Sequence, residues 1–479
     1  MSNLSNSAVS LFKALCPLGA ALLVSCVSVE VPGLPDTAIP ETWQGPQEEQ
    51  ASLWPELQWW NGFETEELSS IITEVRANNL DLQNNRRNLE SAQLALREAG
   101  FNLLPTPTLT ASTAGIYSDS LGNAELDNSP NQPLTLAAGF TYNNILSKPA
   151  SFEQALAIYD SNRALVADTA LNTLGTTAST YFQVLFIRDQ IEFARQNLQN
   201  AETIGNITQA RVDAGVAVPI DALQQRIAIQ QQRTNIQSLQ QSELSALSSL
   251  ALLLGRSVQE FNVDGQTLDL LNVPQLRPGI PAELLRRRPD LVQAEANLRS
   301  SVANVELSRL SFFPTLSLTG NIGASDGSLS DLLGSPDDLL NLTASISQIL
   351  LDNGARSRSV RQAEISMENN LNNFTRAAIG AFNEIEVLLS NIRLLQEQEF
   401  VAEQQLAQAE ESFRLAEVRY REGVADFQTV LTTQNTLFAQ RTNYLNNKIQ
   451  RLNAMVGFYQ ALGGGWDADD EETMAIANE

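Results

Sequence analysis

"FFPTLSLTGNIG" occupies Phe312–Gly323. Its apolar side chains fall on every second position, Leu316, Leu318 and Ile322, with the small Gly320 in the same series. Thr315, Ser317, Thr319 and Asn321 lie between them. Strict alternation is the mark of a β-strand with one apolar and one polar face. Pro314 stands at the start, where a missing backbone donor costs a strand least. The rest of the chain reads as long helices, so this short strand needs a reason.

The same stretch occurs twice. "NLLPTPTLTASTAG" (Asn102–Gly115) parallels "SFFPTLSLTGNIGA" (Ser311–Ala324), with Pro105 and Pro314 in register. "RVDAGVAVPIDAL" (Arg211–Leu223) parallels "RYREGVADFQTVL" (Arg419–Leu431), and Gly255 of "LLLGR" matches Gly463 of "QALGGG". The offsets are 314 − 105 = 209, 423 − 215 = 208 and 463 − 255 = 208. This period is far longer than a solenoid repeat and points to a duplicated half. Each half predicts a helix (Asn79–Phe101, Pro289–Leu310), then a pair of strands. A very long helix follows (roughly Ser151–Ala214, Ala355–Glu422), then a Gly-Val-Ala turn and a second helix (roughly Pro219–Leu254, Phe427–Leu462). At about 1.5 Å per residue the longer helices extend roughly 90–100 Å, too long for one compact core. Leu431, Phe438, Leu445, Leu452 and Tyr459 recur every seven residues and predict a coiled-coil seam on the last helix.

The two hairpins span about 106–143 and 314–350 and alternate apolar residues with Ser, Thr, Gly and Asn. That suits a wall with lipid on one side and water on the other. Phe312, Phe313, Phe140 and Tyr142 flank the strands, as aromatics do at a membrane interface. Four strands cannot close a barrel, and an open edge is not tolerated in lipid. A barrel therefore requires two, three or four chains. The competing reading is a small half-buried sheet packed on helices.

Composition narrows the chemistry. The 479 residues carry 55 acidic and 30 basic side chains, a formal charge of −25, and no histidine. That charge argues against nucleic acid as a partner, because binding it takes Lys/Arg surfaces. The commonest general base and metal ligand is missing. No Gly-rich phosphate loop or Cys/His ligand spacing occurs. The reading is therefore not an enzyme, with no catalytic residue, metal or cofactor. The N-terminus holds one charge, Lys13, before an apolar run ending in "LVSC" (Leu23–Cys26). Residues 1–25 have the form of a signal peptide, too short to span a bilayer. "LVSC" resembles the bacterial lipobox, which makes Cys26 the expected lipidation site. Val27 in place of Asp matches, by the same resemblance, sorting to the outer membrane. No later segment offers the roughly 20 apolar residues of a spanning helix.

Nearly the whole chain after the signal resembles the TolC/OprM family of outer-membrane efflux channels, in the lipoprotein branch of NodT-type factors. "WWNGFETEELSSIITEVRANNLDLQ" (Trp59–Gln83) resembles its opening helices. "GIPAELLRRRPDLVQAEANL" (Gly279–Leu298) resembles its inter-repeat linker, "LLDNGARSRSVRQAE" (Leu350–Glu364) its entry into the second long helix, and "YQALGGGW" (Tyr459–Trp466) its closing segment. Two stretches depart from the pattern. "NNILSKPASFEQA" (Asn143–Ala155) lacks the glycine and arginine usual at that corner, and "TVLTTQ" carries Thr432 and Thr433 where the branch often has Asp-Ala. The resemblance implies a mixed α and β membrane protein: a homotrimer with a 12-stranded transmembrane β-barrel, four strands per chain, continued by a 12-helix periplasmic α-barrel with an equatorial domain. The expected segments are a lipidated extension (26–64), first repeat (65–270), linker (271–288), second repeat (289–463) and acidic tail (464–479).

By the same resemblance the chain is a passive gated conduit of a tripartite efflux system of the resistance-nodulation-division type. It exports small molecules and meets a periplasmic adaptor protein and an inner-membrane transporter. The two Gly-Val-Ala turns become the tips of the tube. Gly215 and Gly423 are expected to end the long helices in the left-handed conformation, and Val216, Ala217, Val424 and Ala425 to touch the adaptor. Asp221, Asp426, Arg211 and Arg419 flank these turns. The aspartates are expected to help form the closed end, tied to arginines on neighbouring helices; the competing reading is that they are solvated caps in the first turn of a helix, where Asp is favourable. Two other classes compete: a periplasmic coiled-coil scaffold lipoprotein, and the outer-membrane duct of a type I protein secretion system.

Overall fold

The computed structural model describes residues 30, 32–33, 55, 57–113, 134–274, 284–326, 337–464 and 466. Cys26, the signal peptide, most of the 26–64 extension, part of the linker and nearly all of the acidic tail lie outside the described residues. The elements are α1 (Glu66–Asn78), α2 (Leu80–Phe101), β1 (Thr106–Thr113), β2 (Leu134–Tyr142), α3 (Lys148–Asp213) and α4 (Pro219–Leu253). After the linker come α5 (Pro289–Leu310), β3 (Thr315–Asp326), β4 (Asp337–Ser347), α6 (Ala355–Arg421) and α7 (Phe427–Ala461). The two long helices run 66 and 67 residues, without proline after their first turns. Among the described residues no helix is long and apolar enough to cross a membrane.

All four strands form one antiparallel sheet in the order β1-β2-β3-β4. Thr106 pairs with Thr141, Thr141 with Thr319, and Thr315 with Ser347. These registers put the apolar series of every strand on one face. Leu109, Leu136, Ile322, Leu342 and Ile346 share that face, and all five are exposed in the chain. Thr108, Thr110, Thr141, Ser317, Thr319, Thr343 and Ser345 lie on the other. Gly320 has its reason here. It pairs with Phe140, and a Cβ on Gly320 would stand 2.6 Å from the Phe140 ring. β1 and β4 are the sheet's edges.

The corner that departs from the family pattern is built by substitution. Arg356, at the start of α6, donates to the Ser311 carbonyl (3.3 Å) and the Ile349 carbonyl (2.7 Å), and lies over the Phe312 ring. Asp352 accepts from the Gly354 and Arg356 backbone N–H groups and from the Arg356 side chain. Those bonds hold the Asp352 carboxyl down at about 2. At the first corner Lys148 stands 208 residues before Arg356 (356 − 148 = 208) and does the equivalent work. Its ammonium donates to the Asn102 carbonyl and sits 4.7 Å from the Tyr142 ring centre. Asn144 takes the positive φ that Asn353 and Gly354 take at the other corner.

The chain divides into two compact units, and neither is a single repeat. One contains the sheet with described residues of 89–162 and 294–374. Leu298, Val302 and Phe374 form its small helical core. Arg299 pairs with Asp160 (3.1 Å) and Arg309 with Glu364 (3.2 Å). The other holds described residues of 35–88, 163–293 and 375–479. Its main core gathers Trp59, Trp60 and Phe63, the apolar side of α1, Tyr181, Phe182 and Leu185 of α3, Leu250 and Leu254, and Leu452, Val456 and Tyr459 of α7. Trp59 stacks on Tyr459 with ring centres 5.0 Å apart. The loop after α4 is clamped onto this core. Glu67 accepts from the Asp264 and Gly265 N–H groups and from the Tyr181 hydroxyl. Arg188 donates to the carbonyls of Val263 and Gly265, and Asp189 accepts from the Leu268 N–H.

The seam of α7 differs from a strict heptad. Its buried row runs Val430, Leu437, Leu445, Leu452, Tyr459, so one interval is eight residues, while Leu431 and Phe438 are only partly buried. A 3.6-residue helix drifts about 20° per heptad, and a one-residue step restores the facing row.

Candidate functional site

The two Gly-Val-Ala turns lie in the same compact unit and are built alike. At the end of α3 the Gly215 N–H donates to the Val212 carbonyl (2.9 Å) and the Val216 N–H to the Arg211 carbonyl (2.9 Å). At the end of α6 Gly423 bonds to Tyr420 (3.0 Å) and Val424 to Arg419 (2.9 Å). This is the Schellman closure, and it needs a left-handed residue at the helix end. Gly215 has φ +72° and Gly423 φ +78°. Gly255 and Gly463, the third landmark of the repeat, close α4 and α7 in the same way. Two of the three shared offsets in the sequence are thus shared helix stops.

After each turn a new helix begins. Pro219 occupies the first turn of α4, where its missing N–H is free of cost. Asp426 caps α7, its carboxylate accepting from the Thr429 N–H at 2.7 Å. Hydrogen bonds from the Thr429 side chain and backbone hold the Asp426 carboxyl below its ordinary value. Asp221 is half-buried in the first turn of α4 and makes no such cap. Neither aspartate forms an ion pair with an arginine of the described chain. Val216 and Val424 are each 65% exposed, and Ala217 and Ala425 are half-buried.

The arginines behave differently from each other. Arg211 reaches across to the other tip. It donates to the Tyr420 carbonyl at 2.7 Å and its guanidinium lies 4.7 Å from the Tyr420 ring centre. Tyr420 is 2% exposed, and its hydroxyl shares a hydrogen bond with Thr208 at 3.1 Å. Arg419, the repeat partner of Arg211, is exposed, with no ion pair or side-chain hydrogen bond to the described residues. Below the tips, Ile204, Phe413, Tyr420, Phe427, Val430 and Leu437 form an apolar cluster. The tips of one chain are therefore joined by a clasp of Arg211, Tyr420 and Thr208. Tyr420 and Thr208 carried no signal in the sequence. Tyr420 reads as one more apolar helix position, and its contact with Arg211 spans 209 residues.

Comparison with known proteins follows the same duplication. The family model described as "outer membrane efflux protein" matches residues 71–256 and again 280–464, starting 280 − 71 = 209 residues apart. The pyoverdine export outer membrane protein OpmQ of Pseudomonas aeruginosa is 32% identical over 456 residues, covering 94% of this chain and 96% of that one. The cation efflux system protein CusC of Escherichia coli is 25% identical, covering 85% and 88%. Among solved structures, the outer-membrane channel OprN superposes with a TM-score of 0.84 at 24% identity, over 92% of this chain and all of that one. The MtrE outer membrane channel of Neisseria gonorrhoeae does so with 0.80 at 23% identity, over 92% and 99%. A long-helical chain with a four-stranded sheet, two clasped helical tips and a family match in each half belongs to the outer membrane efflux protein family.

Proposed function

We propose that three copies of this outer-membrane efflux channel pool their sheets into one 12-stranded barrel, with the helices continuing as a tube into the periplasm. The observation that carries this is the sheet itself. One face exposes Leu109, Leu136, Ile322, Leu342 and Ile346, the other carries Ser, Thr and Asn, and neither edge has a partner among the described residues. In hydrocarbon an unpaired strand edge is untenable, so the sheet must close on other copies. Lipidation at Cys26 would tether the assembly to the membrane. A periplasmic adaptor would seat on the exposed valines 216 and 424, and through it an inner-membrane transporter would supply the energy. The chain itself is a passive conduit and performs no reaction.

The clasped tips are the gate of this conduit. Arg211 ties each protomer's two turns together, and Asp221 and Asp426 stand in two rings of three when three copies meet. Like charges at a constriction favour cations and repel one another. Relatives of the chain are named for pyoverdine export, toluene efflux and cation efflux. Such different cargoes through one duct support selection by the transporter rather than by the channel wall.

The test is reconstitution in planar bilayers. The wild-type protein is expected to insert as a trimer and give small, cation-preferring conductance. Asp221→Asn with Asp426→Asn is expected to change conductance and reduce cation preference. A purified chain that stays monomeric and water-soluble without detergent would overturn the barrel. Unchanged conductance in the double variant would overturn the role of the aspartates alone.

A further inference from the structure

The sheet's two free edges, β1 and β4, carry enough information to fix how neighbouring copies join. The inference rests on the barrel reading above and specifies the pairing within it. The repeat superposes Pro105 on Pro314, so β1 maps onto β3 at an offset of 209. Thr106 is then the counterpart of Thr315 (106 + 209 = 315). Thr106 pairs with Thr141 and Thr315 pairs with Ser347. Thr141 of β2 is therefore the counterpart of Ser347 of β4. Between these hairpins the chain itself shows the junction of a second strand with the next hairpin's first: Thr141 lies opposite Thr319. The counterpart of Thr319 in β1 is Thr110 (319 − 209 = 110).

We infer that β4 of one copy pairs antiparallel with β1 of the next so that Ser347 faces Thr110, Ile346 faces Ala111 and Ser345 faces Ser112. The junction between copies repeats the junction within a copy. The side-chain pattern supplies an independent check. The apolar series is odd-numbered in β1 (Leu109, Ala111) and even-numbered in β4 (Leu342, Ala344, Ile346). Directly opposed residues in an antiparallel pair share a face. Only a pairing of odd with even keeps the apolar face continuous across the junction, and a one-residue slip would turn one strand's leucines inward. Facing alone leaves registers that differ by two residues, and the repeat selects among them. The selected pairs Ser347–Thr110 and Ser345–Ser112 are on the polar face, within reach of water-soluble oxidants.

Disulfide trapping tests this directly. Opposed residues on paired strands have Cα atoms about 4.5–5.5 Å apart, inside the disulfide range of roughly 4.4–6.8 Å. Residues displaced by two positions stand about 7–8 Å apart, outside it. Full-length protein is made with Ser347→Cys plus Thr110→Cys, and in parallel with Ser347→Cys plus Thr108→Cys or Ser112→Cys. Each single variant and the wild type serve as controls, because the natural chain contains Cys16 and Cys26. Outer-membrane preparations are oxidised, and non-reducing gels read covalent dimers and trimers. The Thr110 pair is expected to link at least about fivefold more efficiently than either displaced pair. Ser345→Cys plus Ser112→Cys reads the same register if the first pair assembles poorly. A displaced pair linking best, or no pair linking in protein that light scattering finds trimeric, overturns the register and leaves the trimer intact. No linking in protein that is monomeric overturns the barrel reading instead.

Discussion

Arg211 offers the most direct test of the proposed gate. Replacing it with alanine removes a charge-assisted hydrogen bond to the Tyr420 carbonyl and the guanidinium's contact with the Tyr420 ring. A hydrogen bond from a charged group contributes about 1.5–3 kcal/mol, and the half-buried position of Arg211 favours the lower end. The ring contact adds about 0.5–1 kcal/mol at such a site. About 2 kcal/mol per protomer is then lost from the closed state, provided the tips part on opening. If three clasps release together, the sum is about 6 kcal/mol, enough to shift a two-state equilibrium by roughly 10⁴. Arg211→Ala should raise single-channel conductance and the fraction of time open in planar bilayers. Tyr420→Phe keeps the ring and the carbonyl, losing only the bond to Thr208, and should have a much smaller effect. Arg211→Ala channels that insert as trimers yet conduct like wild type would refute the clasp as a gate element.

Three further outcomes follow from the fold. Gly215→Ala and Gly463→Ala place the same strain on the same kind of helix stop, about 1–2 kcal/mol for a left-handed alanine. A Cβ on Gly215 meets nothing within 4 Å, whereas on Gly463 it would stand 1.9 Å from the Arg287 carbonyl oxygen. Differential scanning at fixed heating rate should therefore show a lowering of the midpoint for Gly463→Ala at least twice that for Gly215→Ala. At the first strand-to-helix corner, Lys148→Ala should reduce the heat-resistant trimer band on gels. Lys148→Arg should preserve it, because Arg356 already fills the equivalent place at the second corner. Burial, then repulsion from Asp290, raises the Asp168 carboxyl above its ordinary value, against Arg288 and Asn172. The folded state thus holds this proton more tightly than the unfolded one, and stability falls as pH rises through the raised value. Asp168→Asn should melt higher than wild type at pH 7, with the gap closing as the pH is brought down towards the ordinary carboxylate range.

Much of this protein was legible as sequence because its determinants are local. Alternation of Leu with Ser and Thr settles which face of a strand is apolar wherever that strand ends up. Glycine at 215 and 423 marks a helix stop because only a residue without Cβ takes a positive φ readily. Asp426 was legible both as a helix cap and as a charge seeking an arginine; the 2.7 Å bond from the Thr429 N–H decides for the cap within the chain. The duplication was legible because both halves kept the same stops at the same spacing.

What joins distant residues was decided by the tertiary structure alone. Nothing in the string links Arg211 to Tyr420 and Thr208, or lets Lys148 replace an arginine by reaching the Asn102 carbonyl. The eight-residue step in the α7 row arises from packing against neighbours, which a count along one helix does not contain. The interleaving of both repeats in each compact unit is of the same kind. Local sterics and period act within a few residues and are written in order along the chain. Hydrogen bonds, ring contacts and burial act between atoms close in space, and only folding sets which atoms those are.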